Sequence, residues 1–199
     1  MIDYLIEFVA THGALAIAAL MALESIFPPI PSEMIMPLAG YNAARGELSL
    51  FAVLFAGTAG SLVGALPWYF AGRQLGKQRL KAFADRHGRW LTLNGKEIDL
   101  AVDRFERHGR KAVLLGRMVP AIRTFISIPA GLVNMRFTTF LAFSAIGSLA
   151  WNAVLTAAGY LLEDKYAQVG HYVDPIAKGV LVIVVLTYLY RVFAFRPQA

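Results

Sequence analysis

The sequence predicts an all-α integral membrane protein built from two inverted repeats, each a re-entrant helical hairpin followed by a transmembrane helix, with one more transmembrane helix at the C-terminus. Three observations predict it. The 199 residues are 57% hydrophobic and only 16% charged, against about 45–50% and about 25% in ordinary soluble domains. Long apolar runs recur, and two of them are broken by proline and charge in their middle. The basic residues concentrate between the two halves. This composition excludes a disordered chain and argues against a soluble globule. The absence of cysteine excludes disulfides, thiolate zinc sites and thiol nucleophiles.

The first broken segment, 13–42, reads GALAIAALMALESIFPPIPSEMIMPLAGYN. Prolines 28, 29, 31 and 37 remove helix donors and clash with the preceding turn. Such a backbone must be buried in protein or line a polar cavity. A hairpin with its tip at Pro28–Ser32 is expected. The dozen residues before it carry Asp3 and Glu7 but no Lys or Arg, so the positive start of a signal peptide is missing and an uncleaved amphipathic segment is expected.

Residues 48–72 form a Gly/Ala/Ser-rich span, a composition that lets helix backbones approach closely. Residues 73–111 follow, with 11 of the 19 Lys and Arg and five acids. This stretch accounts for the whole net charge of +6 and reads as a cytoplasmic loop obeying the positive-inside bias. No nucleic-acid-binding motif accompanies it, so nucleic acid is not an expected partner. The second broken segment, 112–134, holds Arg117, Pro120, Arg123 and Pro129, with an expected tip at Pro120–Thr124. A second small-residue span covers 137–162, an acidic loop 163–175, and a Val/Leu-rich C-terminal helix 176–195.

The halves match. Aligning Gly40 with Gly131 also aligns Ala39 with Ala130 and Pro29 with Pro120. A four-residue shift then aligns Gly60-Ser61-Leu62 with Gly147-Ser148-Leu149 and Ala71-Gly72 with Ala158-Gly159. The chain is expected to be a single membrane domain: repeat 1 about 12–72, basic loop 73–111, repeat 2 about 112–162. With the basic loop inside, span 48–72 runs inward and span 137–162 outward, so the repeats are inverted, an architecture used by transporters.

Charge at bilayer depth costs at least ~2.5–3.5 kcal/mol, so intramembrane ionisable residues face a cavity or a partner. Glu24, Glu33, Arg117 and Arg123 are the ones inside the broken segments. Arg117 and Arg123 flank Pro120, and across a break they can converge on one ligand. Guanidinium forks suit phosphate, and a broken helix exposes N–H groups that favour an anion. The two arginines are therefore candidate phosphate-binding residues. Glu24 and Glu33 are candidate gating or proton-coupling residues, since burial disfavours a charged carboxylate. The same four charges can instead pair across the hairpins as structural ion pairs. Ser32, Tyr69, Arg73, Ser127, Trp151 and Asn152 are candidate cavity-lining residues, Arg73 more simply an interfacial one. The four histidines share no ligand spacing and no nucleotide or hydrolase motif occurs, so no metal or cofactor is expected.

The run Glu24-Ser25-Ile26-Phe27-Pro28-Pro29-Ile30-Pro31-Ser32-Glu33, with Pro37 and Ala39-Gly40, resembles the first motif of the DedA (SNARE-associated, VTT) membrane protein family. Gly60, Gly64, Tyr69, Gly72-Arg73 and Gly76 resemble its middle element, and Arg117 to Arg123 with Pro129-Ala130-Gly131, Met135, Gly147 and Trp151-Asn152 its third. The resemblance covers about residues 20–160. It implies paired re-entrant hairpins and lipid translocation in the bacterial cytoplasmic (inner) membrane, with two acids and two arginines as the functional residues. By position these are Glu24, Glu33, Arg117 and Arg123. It further implies undecaprenyl phosphate or phosphatidylethanolamine as substrate, and proton-motive-force dependence. The ESxxPPIPSE form is most similar to the undecaprenyl-phosphate branch. Many relatives carry Asp after the second glycine of the middle motif. Here Ala65 stands there, which removes that carboxylate from any proton relay, and Pro67 should kink the span. A membrane lipid phosphatase and a membrane scaffold are the competing readings.

Overall fold

The computed structural model of the chain is described over residues 2–27, 32–91, 95–120 and 122–161. Among these it is entirely helix and turn. Six helices follow one another: α1 Ile2–Ile26, α2 Ser32–Ala44, α3 Leu50–Leu91, α4 Gly95–Arg117, α5 Ser127–Leu132 and α6 Phe137–Leu161. The expected acidic loop 163–175, the expected C-terminal helix 176–195 and residues 28–31 of the expected first tip lie outside the described residues.

The helix breaks fall at the proline clusters. α1 ends at Ile26 and α2 begins at Ser32. α4 ends at Arg117, and turns carry the chain to Ser127. In those turns Val119 carbonyl accepts from the N–H groups of both Ile122 and Arg123 at 3.0 Å. α3 continues through Pro67. It also continues past the apolar span, so the basic stretch is helix rather than irregular chain: α3 extends to Leu91 and α4 starts at Gly95. The reason is visible in α4, where Val102, Phe105 and Val113 recur at helical spacing and bury one face. Lys77 and Asp99 tie the two helices together at 3.2 Å.

Among the described residues, two apolar helices are long enough to cross a bilayer, Leu50–Arg79 and Phe137–Leu161. Several of their large side chains point outward: Phe51 (84% exposed) and Phe55 (77%) on the first, Val154 (58%) on the second. A helix that presents rings outward while its small residues face inward is suited to lipid as solvent.

The inward faces meet through glycine. A Cβ on Gly40 of α2 would strike the Thr156 carbonyl of α6, and one on Gly159 of α6 would strike the Pro37 carbonyl of α2. A Cβ on Gly131 of α5 would strike the Tyr69 carbonyl of α3, and one on Gly72 of α3 the Ile128 carbonyl of α5. Each partner thus lies three residues before the other glycine of its pair. The glycines that align between the two halves make matching contacts, each with the other half of the chain.

Two apolar clusters flank this seam. Ile17, Met21, Ile35, Met36 and Val53 join α1, α2 and α3. Ala65, Tyr69, Phe105, Val113, Ala130 and Phe140 join α3 to α6. Tyr69 is the strut of the second cluster. Its ring stacks on Phe140 with centroids 4.5 Å apart, and its hydroxyl donates to the Met135 carbonyl at 2.5 Å. Tyr69→Phe keeps the stack and loses that bond. It is expected to lower stability by about 1 kcal/mol, read from thermal unfolding in detergent.

Candidate functional site

The site forms where the two helix breaks meet the middles of α3 and α6. Arg117 is the last residue of α4 and is 2% exposed. Its Nη2 donates to Ser127 Oγ at 2.9 Å. Its guanidinium lies over the Phe140 ring, 5.8 Å from the centroid. Its Nε has no hydrogen-bond partner. Among the described residues no carboxylate comes within ion-pair distance of it. Arg123, in the turn that follows, is also buried but is paired, with Nη2 on Glu24 Oε1 at the end of α1. The second oxygen, Glu24 Oε2, has no partner.

The two arginines therefore differ. An ion pair taken out of water offsets much of its own desolvation, whereas a lone buried charge leaves several kcal/mol uncompensated. The stacked ring and one hydroxyl are weak compensation. A buried guanidinium with an unused donor has the chemistry to take up an anion.

Between the arginines lies a void of about 10 Å³, lined by Ser25, Ser61, Arg117, Arg123, Ser148, Trp151 and Asn152. That volume holds about one water. It is too small for a phosphoryl group unless the Glu24–Arg123 pair parts. Trp151 Nε1 and both side-chain polar atoms of Asn152 are buried without partners, so the wall offers unused donors and acceptors.

Of the residues expected to serve here, Arg117, Arg123, Trp151 and Asn152 border the void, Glu24 holds Arg123, and Ser127 holds Arg117. Others are not brought to it. Tyr69 is spent on the Met135 carbonyl. Arg73 is exposed on α3. Ser32 Oγ and Glu33 Oε1 are buried and unpartnered on α2, but neither borders the void. Ser25, Ser61 and Ser148 were not expected. Ser61 and Ser148 occupy matching places in the aligned halves, so the internal repeat carried their signal. Among the described residues, no three His, Asp or Glu side chains converge where they could hold a metal ion.

The VTT domain family matches residues 30–161. Undecaprenyl phosphate transporter A of Staphylococcus aureus is 34% identical over 96% of this chain and 93% of its own. An alkaline phosphatase-like protein of Lactococcus lactis subsp. lactis is 35% identical over 97% of this chain and 91% of its own. The uncharacterized membrane protein YkoX of Bacillus subtilis is 32% identical over 81% of this chain and 73% of its own. No solved structure matches. The match over residues 30–161, together with relatives similar over nearly the full length, shows that the chain belongs to the VTT-domain (DedA) family of membrane proteins.

Proposed function

We propose that the protein is a lipid flippase that returns undecaprenyl phosphate from the outer to the inner leaflet of the bacterial cytoplasmic membrane. The observation that carries this reading is the buried, unpaired guanidinium of Arg117 beside a polar void. A phosphate monoester supplies the charge this group lacks, and its prenyl tail needs no polar site because it can stay in lipid. The name borne by the Staphylococcus relative points the same way. The reciprocal glycine contacts support two inverted repeats whose hairpins face each other.

In this mechanism Arg117 is the first residue to take the phosphate. Arg123 joins it when Glu24 lets go, through protonation of the Glu24 carboxyl or through exchange of one anion for the other. Proton-motive force enters at that step. Glu33, half-buried on α2 with its Oε1 unpartnered, is the second gating or proton-coupling acid. A phospholipid flippase working through the same residues is the alternative. A lipid phosphatase is a further one, suggested by the Lactococcus relative's name.

One reconstitution separates them. Purified protein in liposomes is assayed for leaflet exchange of undecaprenyl phosphate beside labelled phosphatidylethanolamine, and for phosphate release. Exchange of the prenyl phosphate alone is expected. Arg123→Ala should slow it by about tenfold or more, the value of one charge-assisted contact. Equal exchange of both lipids would mean a general phospholipid scramblase. Release of phosphate from the prenyl lipid would mean the enzyme.

A further inference from the structure

α6 carries a feature that the arginine site does not account for. Ser144, Ser148, Asn152 and Thr156 recur every four residues, so they stack along one edge of the helix. All four are buried. Ser144 Oγ, Thr156 Oγ1 and both polar atoms of Asn152 lack any hydrogen-bond partner in the protein. Each such atom is costly if dry, because it has given up water for no partner. Close packing does not need them, since alanine would fill a small-residue seam with no orphaned group.

The matching edge of α3 is the internal comparison. At the same spacing and aligned register it presents Gly57, Ser61, Ala65 and Tyr69. Ser61 donates back to the Gly57 carbonyl at 2.9 Å, Ala65 is apolar, and the Tyr69 hydroxyl is taken by Met135. The α3 edge has its polar groups satisfied, while the α6 edge leaves its own open. Ser144 to Thr156 spans about 18 Å at 1.5 Å per residue, more than half of the ~30 Å hydrocarbon core. Ser148 and Asn152, in its middle, border the void with Arg117 and Arg123. At the Thr156 end α2 covers it through bare backbone at Gly40.

We propose that this edge of α6 is a hydrated track along which the phosphate headgroup leaves the Arg117–Arg123 site, an inference that rests on the transport reading above. Neutral amide and hydroxyl groups suit that task. They replace water around a phosphate without holding it as a guanidinium does, and several weak sites in a row allow passage.

The chain has no cysteine, so single cysteines report directly. Ser144→Cys, Asn152→Cys and Thr156→Cys, with Ala65→Cys as the dry control, are prepared in the full-length protein in vesicles. Each is exposed to a water-soluble methanethiosulfonate. The three track positions should react at least about tenfold faster than Ala65→Cys, because thiol reactivity follows access to water. Undecaprenyl phosphate added to the vesicles should slow them and not the control. Reaction at the Ala65→Cys rate overturns the track and leaves the arginine site standing. Fast reaction that the lipid does not slow overturns the headgroup as cargo. Exchange by the wild-type protein, read in the same vesicles, reports separately on the transport reading.

Discussion

Arg117→Met should yield a protein that is more stable than the wild type and does not transport. The guanidinium is buried with one hydroxyl, one ring face and no carboxylate. Methionine fills similar space with no charge to desolvate. Replacing buried charge by well-packed apolar groups is neutral or stabilising by about 1–4 kcal/mol, and a gain within that range is expected in thermal unfolding. Lipid exchange should fall by about a hundredfold or more, since two charge-assisted contacts at roughly 1.5–3 kcal/mol each are lost with the phosphate. Arg123→Met should differ in sign on the first count. It strands Glu24, whose second oxygen is already unpartnered, so stability should drop. If Arg117→Met is instead the destabilised variant, Arg117 is a structural residue and the anion-receptor reading fails. The opposition of stability and activity at one residue is the mark of a binding site held open for its ligand.

Gly159→Ala is expected to have the largest effect on folding. The added Cβ would meet three backbone atoms of Pro37, its carbonyl oxygen among them. Backbone on both sides cannot swing away as a side chain does, so α2 and α6 must separate. The cost should be about 1–3 kcal/mol as overpacking, in spite of the up to ~1 kcal/mol that alanine gains over glycine in a helix. Gly57→Ala is the contrast. Its Cβ would meet the Sδ and Cε of Met36 at 2.8 Å, the far end of a flexible chain. A change within about 0.5 kcal/mol is expected there. Melting temperature and recovery of monodisperse protein in detergent measure both. Equal behaviour of the two variants would mean that the close α2–α6 approach does not hold the halves together.

These substitutions probe two halves of one design. Glycine contacts bring four helices close, and the void between the arginines is lined largely by small polar residues. Polar groups left unpaired in that space cost stability that the apolar clusters on either side must offset.

Much of this was legible before any coordinates. Proline cannot sit in an unbroken helix without losing a bond, so the ends of α1 and α4 could be placed from residues 28–31 and 120. The burial cost of charge singled out Glu24, Arg117 and Arg123 from their apolar neighbours. The aligned glycines were visible too, because small residues at fixed spacing survive as letters. What they touch was not. Periodicity reports which face of a helix is small, and it is silent on which other helix fills that face. The crossing of α2 onto α6 and of α5 onto α3 therefore needed the tertiary structure.

The same holds for the charges. The sequence alone determined that two arginines and two glutamates lie in apolar surroundings, since that follows from composition and hydropathy along the chain. Only the tertiary structure decided that Glu24 takes Arg123, that Glu33 stands apart from the void, and that Arg117 has no acid among the described residues. Pairing is a matter of a few ångströms between segments nearly a hundred residues apart in the chain. Coulomb attraction in a dry interior rewards whichever groups the backbone brings into contact, and no local pattern records that choice.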